Sequence, residues 1–97
     1  MSFDRLEDCI NQTDKKYTSK LNSNESRKAI GIIKKLGLVS SSYRDHSENF
    51  ISAAEAGGDI WHWGVEYRNE LGLDGYSYGW WVVRGDLVVA SICYSFS

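Results

Sequence analysis

The sequence predicts an α+β domain, with N-terminal helices packed on one face of a C-terminal three-stranded antiparallel sheet. Two changes along the chain predict it. Up to Gly58 apolar residues recur with helical spacing, and beyond it they alternate with a period of two, the spacing of a strand with two unlike faces. Turn-forming residues divide the second half into three such runs. The length, 97 residues, suits one domain with a modest core, so residues 1–97 are read as a single unit.

Phe3, Leu6, Cys9, Ile10, Thr13, Tyr17 and Leu21 fall within one third of a helical wheel. That stripe predicts a helix over 3–20, with Ser2 as N-cap and Asp4 in the first turn. The polar run Asn11-Gln12-Thr13-Asp14 is where it could break. A polar turn at 21–28 leads into a second helix, 24–36. There Ala29, Ile30, Ile32, Ile33 and Leu36 fill one side and Arg27, Lys28, Lys34 and Lys35 cluster on the other. Gly37 stands where a C-terminal glycine belongs. Residues 40–45 read as a loop. A shorter helix from Ser47 to Ala56 then buries Phe50, Ile51 and Ala54 and ends at Gly57-Gly58.

The three strands fall at about 60–67, 76–83 and 88–96. Gly85-Asp86 makes a tight hairpin between the second and third, and 68–75 is a longer connection between the first and second. All four tryptophans lie within 59–83. Both faces of the first two strands are bulky, since Ile60 alternates with Trp61 and Trp80 with Trp81. Helices on one face alone would bury one set and leave the other exposed, as on an interaction surface. Cross-strand aromatic pairing is the competing explanation.

Composition narrows the chemistry. Hydrophobic content of 42% and charged content of 25% are ordinary for a globular protein. No apolar run approaches the roughly 20 residues of a membrane span, and the acidic N-terminus does not resemble a secretion signal, so a cytosolic protein is expected. Cys9 and Cys93 form no CxxC pair and read as small apolar side chains, not zinc ligands. His62 and Glu66 point the same way along a strand but stand about 13 Å apart at 3.3 Å per residue, too far for an acid–base dyad. His46 follows Asp45 in the loop. The glycine-rich 72–79 run carries Asp74 and no lysine, so it reads as a turn and not a phosphate cradle. The Arg84-Gly85-Asp86 triplet reads as a hairpin turn. No catalytic group, metal or cofactor is expected.

The net charge of −2 conceals an asymmetry. Residues 1–46 hold nine bases and six acids, and residues 47–97 two bases and seven acids. The aromatic half is thus the acidic half, a bias that bears on partners more than on fold. The basic strip on helix 24–36 could meet nucleic acid, and an aromatic sheet can stack bases. Those signals lie on different halves, and acids beside the aromatics repel phosphate. Nucleic acid is therefore the second choice of partner, as a small regulator acting through helix 24–36.

In size, acidity and composition the whole chain resembles the small immunity proteins of bacterial toxin–immunity systems, such as colicin-type or contact-dependent inhibition pairs. The resemblance implies a protein that binds a basic toxin, a nuclease by its charge, and blocks its active site or an adjoining surface. A phage-encoded inhibitor would share the same physics. The residues expected to contact the partner are Asp59, Trp61, Glu66, Glu70, Asp74, Tyr76 and Tyr78: carboxylates for steering, aromatics for affinity.

Overall fold

The computed structural model describes residues 3–68 and 74–96. The fold is α+β, but its sheet has five antiparallel strands, not three. In chain order the elements are β1 (Asp4–Arg5), α1 (Leu6–Asn11), β2 (Ser19–Lys20), α2 (Ser23–Val39), α3 (Ser41–Glu55), β3 (Asp59–Arg68), β4 (Asp74–Arg84) and β5 (Leu87–Phe96). The sheet order is β1-β5-β4-β3-β2. The long strands β3, β4 and β5 are the three expected from the alternation. The added ones, β1 and β2, have two residues each and lie on opposite edges.

Both edge strands belong to the segment expected to be one helix over 3–20. That expectation fails at the polar run. The Gln12 and Thr13 N–H groups close tight bonds on the Cys9 and Ile10 carbonyls, and the Thr13 hydroxyl donates to Ile10 O at 3.0 Å. Asp14 then turns the chain outward. Its N–H donates to Gly64 O at 2.8 Å, and its carboxylate accepts the Glu66 N–H at 2.7 Å. Such side-chain bonds to backbone compete with helix continuation. Residues 4–20 therefore form a strap. β1 pairs with β5 at Leu87 and Val88, α1 crosses one face of the sheet, and β2 pairs with β3 at Trp61 and His62.

The strap explains why both sheet faces are bulky. On one face Ala29, Ile33 and Phe50 from α2 and α3 pack with Ile60, Trp80, Val82 and Ile92. On the other, Trp81, Val83 and Val88 pack with Leu6, Cys9 and Ile10 of the strap and with Trp61 and Trp63. Helices thus cover both faces, which corrects the one-sided arrangement expected from the sequence. The Trp63 Nε1–H is buried with no hydrogen-bond partner among the described residues.

Two helix boundaries also differ. α2 opens with a reciprocal capping box, Asn22 accepting from the Glu25 N–H and Glu25 from the Asn22 N–H. It runs through Gly37 to Val39. Gly37 is no terminus: it lets α3 approach, since a Cβ there would stand 2.7 Å from Ser47 Oγ. Ser47 Oγ donates to Ile33 O at 2.8 Å and joins the two helices. α3 begins at Ser41, one residue after α2, so residues 41–45 are helical and not a loop. The Ala53 carbonyl in its last turn and the Gly57 carbonyl just beyond its end accept from the Arg84 guanidinium. The Gly85-Asp86 turn is as expected, with a φ of 64° at Gly85.

Two glycines of α2 should respond oppositely to one substitution. Gly31→Ala meets nothing within 4 Å and should raise stability by about 0.5–1 kcal/mol through helix propensity. Gly37→Ala should lower it by about 1–3 kcal/mol through overpacking against Ser47. Chemical denaturation of both variants measures the pair, and Gly37→Ala as stable as wild type would refute the close-approach account.

Candidate interaction surface

The α2–α3 pair covers the sheet around Ile60, Trp80, Val82 and Ile92. Farther along the same face, β3, β4 and β5 present Glu66, Tyr76, Tyr78 and Tyr94. Glu66 sits directly opposite Tyr76, and Gly64 opposite Tyr78. Gly64 is a seat for the Tyr78 ring, because a Cβ there would lie 2.7 Å from it. An irregularity in the β4–β5 ladder beside Tyr78 and Gly79 brings Tyr94 over Trp80, with ring centroids 4.3 Å apart.

The rings interlock. Tyr78 meets Tyr76 at 5.1 Å, Tyr94 at 6.2 Å and His62 at 6.0 Å. Tyr17 of the strap meets the Tyr78 ring edge-on at 5.2 Å. His62 Nδ1 is 2.7 Å from Tyr17 O, and Nε2 is 2.9 Å from the Tyr94 hydroxyl. A carbonyl only accepts, so Nδ1 carries a hydrogen, and in the neutral ring Nε2 accepts from the Tyr94 hydroxyl. Both ring nitrogens are therefore engaged in holding the surface together.

At the margin, Tyr17 Oη donates to Glu66 Oε1 at 2.6 Å and Lys16 Nζ lies 3.7 Å from Glu66 Oε2. The bond to Glu66 raises the Tyr17 hydroxyl well above the ordinary phenol value, with smaller contributions from burial and Tyr78. Burial, then the neighbouring Tyr78 and Cys93, raises Tyr94. Tyr76 is the most open of these rings, at 39% exposure.

No family model matches this chain, and neither a curated protein nor a solved structure resembles it. The surface thus stands on its own geometry. It gathers Glu66, Tyr76 and Tyr78 of the residues expected to bind a partner, and adds Tyr17, His62 and Tyr94. Trp61 packs on the opposite face, under the strap. Asp59 lies at the far end of β3, about 23 Å from Glu66 by strand rise, and pairs with Lys20 at 3.4 Å. Asp74 is the backbone register partner of Arg68 at the open end of the β3–β4 ladder, and Glu70 lies outside the described residues. The acids are also less bare than the sequence implies, because strap lysines reach both Glu66 and Asp59.

Other features carry less chemistry. Among the described residues no group of three or more His, Cys, Asp or Glu could hold a metal ion. An open recess of about 430 Å³ between α2 and α3 is lined by Ile30, Ile51, Ala54 and Ile60 with Arg27, Lys34 and Glu55 at its rim. No helix among the described residues is long and apolar enough to cross a membrane.

The raised phenols set an alkaline limit. Tyr17, Tyr43 and Tyr94 all ionise later when folded than when unfolded. Above about pH 10 the unfolded chain therefore binds fewer protons, and stability falls as pH rises. The contribution is complete below that pH. Phenolate absorbance should show late-titrating tyrosines, and Glu66→Gln should move one of them back toward the ordinary value. An unchanged titration in Glu66→Gln would break the assignment to Tyr17.

Proposed function

We propose that this protein is a binding domain that neutralises a basic protein partner through its tyrosine face, as an immunity protein neutralises a nuclease toxin. One observation carries the reading. Tyr17, Tyr76, Tyr78, Tyr94 and His62 form one ring cluster on the same sheet face as the α2–α3 core, with Tyr76 exposed and the other four rings half-buried. Tyrosine suits this use, since it supplies large rigid contact area and a hydroxyl at low entropic cost. Glu66 beside the rings favours a positively charged partner. Binding across the partner's active site would block it by bulk, and the carboxylates would speed encounter.

A second reading retains one favourable observation. Arg27, Lys28, Lys34 and Lys35 are all exposed on α2, where Glu25 is the one acid. That strip could contact nucleic-acid phosphates. A mobility shift at sub-micromolar protein that disappears in Lys28→Glu with Lys35→Glu would favour it over the tyrosine face.

The direct test is survival. The gene neighbouring its own is tested for toxicity in a bacterial host, the chain is co-expressed with that product, and the complex is captured. Protection with a stable complex is expected. Tyr76→Ala should weaken the complex by about 2 kcal/mol, roughly thirtyfold in Kd, with the thermal melt unchanged. Neither protection nor a complex, or a Tyr76→Ala variant binding like wild type, would count against this function.

A further inference from the structure

We infer that the notch between the Tyr17 ring and the Glu66 carboxylate is a subsite for a partner guanidinium group, occupied in the free protein by Lys16. The inference rests on the protein-binding reading above and specifies its chemistry.

The structure already holds a cation there. Lys16 Nζ stands 4.9 Å from the Tyr17 ring centroid and 3.7 Å from Glu66 Oε2. A positive charge between an aromatic face and a carboxylate gains from both. The carboxylate is fixed before any ligand arrives. Its Oε1 accepts the Tyr17 hydroxyl at 2.6 Å, and the Glu66 N–H is held by Asp14 at 2.7 Å. Oε2 faces only Lys16 among the ion pairs of the described residues.

Lys16 is a weak occupant. Its side chain is 65% exposed and that of Glu66 47%, and an exposed lysine–carboxylate pair contributes little. A guanidinium would do better at the same position. It is planar, less strongly hydrated than an ammonium, stacks on aromatic rings, and presents a fork of donors to a carboxylate. Tyr76, directly opposite Glu66 and 39% exposed, offers a second ring beside the notch. Lys16 lies on the strap between α1 and β2, outside any helix or strand, so it can swing out without breaking the fold. An arginine on the partner would thus displace a weakly held internal competitor.

Fluorescence anisotropy with labelled hexa-arginine and hexalysine peptides tests this. Hexa-arginine should bind more tightly than hexalysine. Lys16→Ala should tighten hexa-arginine binding about threefold or more, and Glu66→Gln should weaken it by at least as much. Lys20→Ala is the control, because it removes the same charge beside Asp59, and it should change binding less than twofold. Thermal melts confirm that the variants are folded. Equal effects of Lys16→Ala and Lys20→Ala would reduce the notch to general electrostatics and overturn the subsite. Absence of hexa-arginine binding would overturn it as well. Either result leaves the survival assay with Tyr76→Ala intact, so the subsite can fail without the wider function failing.

Discussion

The fold depends on how β3 and β4 pair at their centre. Trp63 lies directly opposite Gly79, and Gly64 directly opposite Tyr78. Each glycine is buried beneath the aromatic ring it faces. A Cβ on Gly79 would meet the Trp63 ring at 2.6 Å, and one on Gly64 would meet Tyr78 at 2.7 Å. The two seats open to opposite faces of the sheet. Because side chains alternate, a slip of one residue would swap the faces of every large ring. It would also set an aromatic against a side chain in place of a glycine. The register is therefore fixed from both sides, and the division of aromatics into two cores and one surface follows from it.

The strap is the counterpart of that register. A three-stranded sheet with bulk on both faces has one face too many for a helical pair to cover. Residues 4–20 cover the second face with Leu6, Cys9 and Ile10, and the same segment closes both sheet edges with β1 and β2. Short edge strands of this kind hide backbone that would otherwise pair with other chains. The strap also redistributes charge. Along the sequence the bases and acids are separated, but in space Lys16 and Lys20 stand beside Glu66 and Asp59. A charge bias read along a chain is only a bias in space if distant segments do not fold across it.

How much of this was legible in the sequence depends on how much each element repeats itself. β3, β4 and β5 are ten or eleven residues long and alternate throughout, so their existence was plain. Two-residue strands have no period, so β1 and β2 left no signal. The stripe from Phe3 to Leu21 fitted a helix because 3.6-residue spacing was satisfied by residues that end up on opposite faces of the sheet. Leu6, Cys9 and Ile10 join one core, while Leu21 packs against the other. Gly37 was misread because a glycine near a helix end and a glycine at a helix crossing look alike without Ser47 in view. Strand alternation placed Glu66, Tyr76 and Tyr78 on one face of the sheet. The place of Tyr17 and His62 beside them was not legible, because it comes from contacts between strap and sheet. Tyr94 reaches the same face only past the β4–β5 irregularity.

The division of labour between tryptophan and tyrosine is the clearest link from packing to function. Trp80 and Trp81 are buried on opposite faces, and Trp61 and Trp63 complete the core under the strap. Tyr17, Tyr76, Tyr78 and Tyr94 take the remaining, wetter part of the first face, where a hydroxyl can find a partner. They are not loose there. Tyr78 touches Tyr17, Tyr76 and Tyr94, and His62 ties Tyr17 to Tyr94 through its two nitrogens. Rings held in this way have already lost their rotamer freedom during folding. A partner that lands on them has fewer side chains left to immobilise, a term of about 0.5–1.5 kcal/mol for each one. On the proposed function, the stacking that stabilises the open end of the sheet would therefore also lower the entropic cost of binding there. That gives one physical reason for the protein to place tyrosines, and not lysines or glutamates, on a strand face that water can reach.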